Sequence, residues 1–325
     1  MAELQLREAI VRGLREAMDA DERVILLGED IGEYGGAYAV TKGLMAAYGQ
    51  ERVRDTPISE AVIVGASVGA AMGGIRPIVE VMTINFTLLA MDQIVNHAAK
   101  LRYMSNGQIS IPMVLRTVTG GGGQLGATHS QSFEGWYANV PGLIVATPAT
   151  SYDALGLLRS AVLAEDAVIF AEHQLLYGFR GEVPDEPYTV PFGKAATRRQ
   201  GSDVTLVGYS RMANVAVEAA RILAERGVDS EVIDLRTLRP LDTDTVLESV
   251  RKTGRAVVVE ENWRTGGFAA ELAATIQESA FDELDGPVGR VGAEEVPFPY
   301  NGRQEAAAIP DAERVASAVA CLFGV

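Results

Sequence analysis

Short uncharged runs alternate with longer amphipathic stretches along the chain. A short apolar run bounded by turn residues is typical of a buried strand, and apolar positions three and four apart are typical of a helix. The N-terminal stretch has the helical pattern, with one apolar stripe of Leu6, Ile10, Leu14 and Ala17. Alternating strands and helices predict an α/β fold with parallel sheets. Strands are predicted at 24–27, 78–81, 112–118, 141–146, 167–172, 204–209, 231–235 and 256–260, and helices at 41–48, 88–104, 151–163, 213–226, 243–252, 267–280 and 311–322.

One further predicted helix follows the segment Asp55-Thr56-Pro57-Ile58-Ser59-Glu60. Threonine is a good N-cap and proline is tolerated at the first helical position, so we predict that the helix begins at Thr56 and Pro57. Glu60 then lies in or just after the first turn. A carboxylate at this place can simply stabilise the positive end of the helix dipole.

The rest of this helix makes Glu60 a candidate functional residue. Residues 61–73 carry no charge, a pattern typical of a helix that is buried on all sides. Gly65, Gly69 and Gly73 recur at every fourth position, so a second helix can approach closely. Burying a carboxylate beside such a helix is costly unless it has a bonding partner. We therefore expect Glu60 to meet a ligand.

A stretch rich in glycine and proline, residues 177–194, separates two α/β patterns. A chain of 325 residues has the length of about two domains. We therefore predict two doubly wound α/β domains, residues 1–186 and residues 187–325. No catalytic set is visible in the second, and we expect it to serve association.

Composition narrows the possible partners and location. The formal net charge of −15 argues against nucleic acid or an anionic membrane as a partner, because both require basic patches. The single cysteine, Cys321, excludes a disulfide framework and a cysteine metal cluster. No uncharged run reaches the roughly 20 residues that span a bilayer. We expect a soluble cytoplasmic protein.

A glycine tract, residues 120–126, follows the strand at 112–118. Gly121, Gly123 and Gly126 match the spacing of a dinucleotide phosphate loop, but no long helix opens directly after them. A mobile active-site loop is the better interpretation. The loop leads to His129, which polar residues flank, and we predict that this histidine is functional.

Several of these segments resemble one known family. Asp55–Glu60 and Val68–Glu80 are similar to the beta subunits of thiamin-diphosphate-dependent 2-oxo acid dehydrogenases, which are transketolase-like, and most of all to those acting on pyruvate. Asp234–Asp242 and Glu260–Gly267 resemble the C-terminal domain of the same enzymes. The resemblance extends from the first helix to about Asp311. It implies an N-terminal pyrimidine-binding domain and a transketolase-type C-terminal domain.

The resemblance also implies roles for single residues. Glu60 would bond the pyrimidine ring nitrogen of thiamin diphosphate. Met82 and Phe86 would form the apolar wall of the cofactor site, with Phe86 stacked on the pyrimidine ring. Glu29 and Asp92 correspond to acids that line a polar channel between active sites.

Two more features follow from the resemblance. The segment Thr128-His129-Ser130-Gln131 is close to the His-Ser-Gln that marks the family's reaction centre, where His129 would assist substrate positioning or proton delivery during acyl transfer. A potassium ion would be held by backbone carbonyls, although some side chains usual in the family are replaced here. The residues concerned are Met113, Ala161, Val162, Ala164 and Asp166.

One expected motif is missing. Thiamin enzymes bind the diphosphate through Mg²⁺ held by a Gly-Asp-Gly segment, and no such segment occurs in this chain. The resemblance therefore implies that an alpha subunit holds Mg²⁺ and shares the cofactor in an α2β2 heterotetramer. It implies oxidative decarboxylation of pyruvate, with acyl transfer to the lipoyl group of a dihydrolipoyl acyltransferase.

Other functions stay open at this point. Within the family, the substrate could be a branched-chain 2-oxo acid, or acetoin. From other classes, the glycine tract is compatible with a nucleotide-binding oxidoreductase, and the whole chain with a non-catalytic scaffold subunit. Binding of NAD by the isolated chain would identify a nucleotide-binding oxidoreductase. Substitution of Glu60 would distinguish a non-catalytic scaffold subunit from a catalytic one.

Overall fold

The computed structural model describes residues 1–324, and of Phe323 only the backbone. The chain forms two compact units, one of residues 1–119 and 136–192, the other of residues 120–135 together with the chain from Gly193 onward. Both units are α/β with mostly parallel sheets, which confirms the predicted fold class. No helix within the described range combines the length and the apolar character needed to cross a bilayer.

In the first unit, six parallel strands form a sheet whose carboxyl ends present the candidate residues. The unit has eight strands, of which β1 and β8 lie outside this sheet. They are β1 (Ala2–Gln5), β2 (Val24–Gly28), β3 (Val53–Asp55), β4 (Arg76–Val81), β5 (Val114–Thr119), β6 (Ile144–Ala146), β7 (Val168–His173) and β8 (Arg180–Val183). The helices are α1 (Leu6–Ala20), α2 (Leu44–Tyr48), α3 (Glu60–Met72), α4 (Leu101–Met104), α5 (Glu134–Ala138), which begins just before the chain re-enters this unit, and α6 (Ser151–Leu163). The sheet order is β6-β7-β5-β4-β2-β3.

The apolar stripe of α1 supplies much of the core of this unit. Leu6, Ile10 and Leu14 are fully buried, as the pattern predicts, and α1 packs against α6. A Cβ atom at Gly13 would lie 2.9 Å from the Leu158 side chain, so the close approach of the two helices requires glycine.

The predicted linker 177–194 is only partly irregular. Its first half contains β8, which pairs antiparallel with β1, with Ala2 opposite Val183 and Gln5 opposite Arg180. Neither strand was predicted, because each is short and alternates too little to be distinguished from a loop.

Two predicted helices differ from those observed. α3 begins at Glu60, with Ser59 as its N-cap, because the preceding backbone stays with the sheet: the Thr56 amide donates to the Gly28 carbonyl at 3.0 Å. The single helix predicted over 88–104 is a 3₁₀ segment (Ile84–Ala90), a π-helical segment (Gln93–Ala98) and α4. In α6 the bounds are as predicted, and Thr150 is the cap.

In the second unit, a five-stranded sheet has the order β14-β13-β10-β11-β9, and only β9 is antiparallel. Asp242 caps α8 by accepting from the Thr245 amide. The strands are β9 (Ala196–Arg199), β10 (Val204–Gly208), β11 (Ser230–Asp234), β12 (Thr237–Arg239), β13 (Ala256–Trp263) and β14 (Gly289–Ala293). The helices are α7 (Arg211–Glu225), α8 (Thr243–Thr253), α9 (Phe268–Ser279), α10 (Gly302–Ala308) and α11 (Ala312–Phe323).

Candidate functional site

Glu60 is a buried carboxylate at the start of α3. The residue is only 6 % exposed, and no described residue donates a hydrogen bond to its carboxylate. The helix starts here because Asp55, at the end of β3, turns back to accept from the Gly32 amide at 2.6 Å. Glu60 therefore follows the carboxyl end of a parallel strand, where ligand sites of α/β folds are built.

Glu29 shares the surroundings of Glu60. It directly follows β2, and its pKa is raised, mainly by burial and further by the negative charges of Asp30 and Glu60. The two glutamates are thus close enough to influence each other. A raised pKa beside a second carboxylate is a recurring property of groups that handle protons.

α3 is buried on one side only, which corrects the expectation of a helix enclosed all round. Ile63, Val64 and Ser67 face inward. Val62 is 64 % exposed and Met72 is 48 % exposed. The composition did not predict this exposure, because an exposed apolar helix face and a buried one have the same pattern of residues in the sequence.

Met82 and Phe86 follow the carboxyl end of β4 and are half-buried rather than in the core. The Phe86 amide donates to the Thr83 carbonyl at 2.9 Å, which fixes the 3₁₀ segment that carries the ring. Thr87 also fixes this segment, because its hydroxyl is hydrogen-bonded to the hydroxyl of buried Tyr137. α3 packs against this segment, so Glu60 and Phe86 lie on neighbouring elements.

These residues fit an aromatic nitrogen heterocycle. A buried carboxylate without a hydrogen-bond partner can bond a ring nitrogen, and half-exposed apolar side chains can face the ring. The described residues contain no cluster of His, Cys, Asp and Glu able to hold a metal ion.

Asp92 lies in a more open position. Its side chain is 63 % exposed and accepts from the Asn96 amide group at 2.7 Å. His97, to which no role is assigned, lies 3.8 Å from the same carboxylate.

His129 belongs to the second unit and is exposed. Its backbone amide donates to the Gly126 carbonyl at 3.2 Å, and its Nδ1 lies 2.9 Å from the Thr128 hydroxyl. This contact orients the ring so that Nε2 points away from the Thr128 hydroxyl. A neutral imidazole oriented in this way can accept or donate a proton.

The carbonyls expected to hold potassium have other partners. Arg76 donates through one nitrogen to the carbonyls of Val162 and Ala164, at 2.9 and 3.2 Å, and also pairs with Glu165. A potassium ion on those two oxygens would lie beside the guanidinium, and two unit charges about 4 Å apart repel by about 4 kcal/mol near a protein surface. The residues present do not fit the ion.

Among the other three residues of that set, two backbone carbonyls accept a hydrogen bond and one side chain is ion-paired. The Met113 carbonyl accepts from the Val168 amide at 2.9 Å and that of Ala161 from the Ala164 amide at 3.2 Å. The Asp166 carboxylate accepts from Arg102 at 2.7 Å. We derive no step through potassium.

Potassium is accordingly expected to have no specific effect on stability. The melting temperature of the chain should be the same in potassium chloride and in sodium chloride at equal ionic strength, because Arg76 already supplies the positive charge at these carbonyls. Thermal unfolding followed by circular dichroism measures this. A rise in melting temperature with potassium alone would contradict the fit argued here.

The sequence did not reveal a buried ionic network beneath the sheet's carboxyl edge. Arg116 on β5 binds Glu172 on β7 through two nitrogens at 2.6 and 2.8 Å, and Glu80 on β4 through the third at 2.8 Å. The Tyr177 hydroxyl donates to Glu172 at 2.7 Å. Arg116 and Glu172 are 2 % and 0 % exposed. A signal existed, since single charges interrupt otherwise apolar predicted strands.

The second unit contains an unusual carboxyl group, Glu260 on β13. Burial raises its pKa to about 7, and the nearby charge of Glu134 adds to the shift; the amides of Ala269 and Phe268 at the start of α9 and the Tyr209 hydroxyl oppose it. Glu260 is therefore partly protonated near neutral pH. The sequence-based prediction assigned it no function.

This pKa predicts how stability depends on pH. The folded chain binds the Glu260 proton more tightly than the unfolded chain, in which the carboxyl group has its ordinary pKa of 4.5. Stability contributed by this group is therefore present below pH 4.5 and is lost as pH rises toward 7, by roughly 3 kcal/mol. Glu260→Gln, which stays neutral, should lose less stability than the parent chain in urea titrations across this range. Exposed Glu278→Gln is the control, and equal pH profiles for parent and Glu260→Gln would contradict the expectation.

Comparison with known proteins gives the family. The model of the transketolase pyrimidine-binding domain matches residues 2–180, and that of the transketolase C-terminal domain matches residues 193–315. The mitochondrial pyruvate dehydrogenase E1 component subunit beta-2 of Oryza sativa subsp. japonica is 47 % identical over 320 residues, which cover 97 % of this chain and 85 % of that protein. The chain belongs to the family of pyruvate dehydrogenase E1 beta subunits.

Other relatives and a solved structure agree with this family. The pyruvate dehydrogenase E1 component subunit beta of Rickettsia felis is 44 % identical over 325 residues, covering 99 % of this chain and 100 % of that one. A structure described as a split-gene transketolase, an inactive beta4 tetramer, superposes with a TM-score of 0.80 at 24 % identity, covering 99 % of this chain and 98 % of that chain. The latter likeness supports the fold alone. The predicted resemblance to the E1 beta family is thus confirmed.

Proposed function

We propose that the chain is the beta subunit of a thiamin-diphosphate-dependent pyruvate dehydrogenase. The observation that carries the proposal is Glu60, a buried residue at the carboxyl edge of a parallel sheet, to whose carboxylate no described residue donates a hydrogen bond. Phe86 lies on the segment that packs against α3, and Met82 precedes that segment. Both are half-buried apolar side chains, which suits one face of a pyrimidine ring.

In this proposal each residue has a distinct task. Glu60 bonds the pyrimidine ring nitrogen and exchanges a proton there, while Phe86 and Met82 orient the ring and exclude water. Bound thiamin diphosphate would supply a nucleophilic carbon for the reaction with the 2-oxo acid. The negative charge of Glu60 contributes to the raised pKa of Glu29, so the two carboxylates lie near each other. His129 positions substrate or delivers a proton when the acyl group is transferred.

The chain would hold half of the cofactor site. An alpha subunit would bind Mg²⁺ and the diphosphate, in an α2β2 heterotetramer, because no Gly-Asp-Gly segment occurs here. The exposed apolar face of α3 supports association with another chain. Val62 and Met72 face solvent, and a Cβ at Gly69 would meet nothing within 4 Å. The acyl group would pass to the lipoyl arm of a dihydrolipoyl acyltransferase.

Pyruvate is the proposed substrate, because the relatives named above are pyruvate dehydrogenase subunits. A branched-chain 2-oxo acid or acetoin is the alternative within the same chemistry. We retain residues 1–186 and 187–325 as the proposed domains and the cytoplasm as the proposed location, although the rice relative is named mitochondrial.

Reconstitution tests the proposal. The chain alone should bind thiamin diphosphate weakly and catalyse nothing, and activity should appear with an alpha subunit and Mg²⁺. Steady-state rates with pyruvate should exceed those with 2-oxoisovalerate or acetoin. Micromolar cofactor binding by this chain alone in calorimetry would contradict the half-site, and a preference for 2-oxoisovalerate would correct the substrate.

A further inference from the structure

The glycine tract is bound by two buried carboxylates of its own unit. Glu305, on α10, accepts from the Gly122 amide through Oε1 and from the Gln124 amide through Oε2, both at 2.9 Å. Glu261, on β13, accepts from the Gly121 amide at 2.6 Å, and Arg211 binds its other oxygen at 3.2 Å. Hydrogen bonds to a charged acceptor are stronger than those between neutral groups.

The backbone of the tract is shaped for this contact. Gly120, Gly122 and Gly126 have positive φ angles near 80–90°, and Gln124 has a φ of 54°. Alternating residues in this left-handed region turn successive amides to one side, where they form a concave anion-binding surface. Here the anion is a side chain of the same chain.

Close packing leaves the tract little freedom beside the carboxylates. A Cβ atom at Gly121 would lie 2.8 Å from Ile309 and 2.9 Å from Phe298, so only glycine fits against these apolar side chains. Glu305 itself is 1 % exposed. A carboxyl group buried to this extent needs its hydrogen bonds, and the tract supplies two of them.

The bound tract leads directly to His129. The Gly120 amide donates to the Gln131 carbonyl at 3.1 Å and closes the loop at its base. Within this closed loop, the amide of His129 bonds the Gly126 carbonyl. The amides that Glu305 and Glu261 hold therefore lie in the same closed loop as His129.

We propose that Glu305 is a positioning residue for the reaction, which fixes His129 through the glycine tract. Glu261, aligned by Arg211, holds the neighbouring amide in the same way. The inference rests on the proposed role of His129. It replaces the picture of a freely mobile loop with one anchored at three amides.

The test uses the full chain, assembled with an alpha subunit, and the variants Glu305→Gln and Glu305→Ala. Exposed Glu278→Gln is the matched control for the loss of charge. Backbone hydrogen–deuterium exchange over residues 120–131 should become about ten- to a hundredfold faster in Glu305→Ala, because two charge-assisted bonds are lost. Gln keeps one acceptor oxygen and should fall between Ala and the parent.

Activity separates positioning from a merely structural role. We expect kcat to fall by about ten- to a hundredfold in Glu305→Ala with little change in KM, the loss typical of a displaced catalytic group. Adding Glu305→Ala to His129→Ala should then have almost no further effect, since both act at one point.

Each other outcome overturns the inference in a recognisable way. Unchanged exchange over 120–131 would show that Glu305 does not anchor the loop. Faster exchange with unchanged kcat in Glu305→Ala, together with a lowered kcat in His129→Ala, would show that anchoring does not position the imidazole. Full activity of His129→Ala would remove the proposed role of His129 itself, and with it the positioning role, whatever the exchange shows.

Discussion

Glu60→Gln is expected to lower turnover of the assembled enzyme by a factor on the order of 10²–10⁴, the usual contribution of one acid–base group. Glutamine keeps the volume and can still form a hydrogen bond, but it cannot exchange a proton with a ring nitrogen. If Glu60 only interacted with the dipole of α3, the substitution would cost about 0.3–1 kcal/mol of stability and would leave turnover unchanged. The two roles therefore predict effects on different quantities.

The measurement that separates them is proton exchange at the reactive carbon of bound cofactor, compared between parent and Glu60→Gln. Exchange should slow in the variant while assembly and cofactor content stay the same. Glu278→Gln, exposed on α9, is the control for loss of one negative charge. Unchanged exchange in a folded, cofactor-loaded variant would remove Glu60 from the reaction.

Arg116→Met is expected to destabilise the chain by about 3–5 kcal/mol at neutral pH, because it leaves buried carboxylates without their cation. Glu172 loses two hydrogen bonds and Glu80 one. Methionine retains most of the arginine side chain's length, so the loss reports the charge more than the packing. Urea unfolding of the full chain measures it.

The pH dependence of this loss provides an internal check. Burial already raises the pKa of Glu80, and Arg116 opposes that rise, so removing Arg116 raises the Glu80 pKa further above its unfolded value. The variant therefore regains stability as pH falls through the new pKa. Arg226→Met, which breaks an exposed pair with Glu313, should cost at most about 1 kcal/mol at any pH. Equal losses in both variants would refute the argument from burial.

The sequence predicted the elements well where local pattern and packing agree. The stripe of α1 and the parallel strands are observed as predicted. Prediction failed where backbone partners lie far apart in the chain. Thr56 looks like a cap, but its amide is bound by Gly28, and the helix starts four residues later.

The candidate site was predictable to a similar degree. Glu60 could be found because a lone carboxylate precedes an uncharged helix, and His129 because a glycine tract leads to it. Glu305 could not, because nothing in the sequence shows that the helix around it meets that tract. The potassium residues follow from resemblance alone. Resemblance does not show that the guanidinium of Arg76, from a strand distant in the chain, already binds two of their carbonyls.

The exposed face of α3 also has a consequence for how the chain must be produced. Val62 and Met72 leave an apolar surface open, and such surfaces either meet a partner or promote self-association. A subunit of this kind is most stable when its partner is present in matching amount, since binding shifts the folding equilibrium by mass action. Copies made in excess of the proposed alpha subunit would leave this face open to self-association, so we expect balanced synthesis of the two chains to favour assembly.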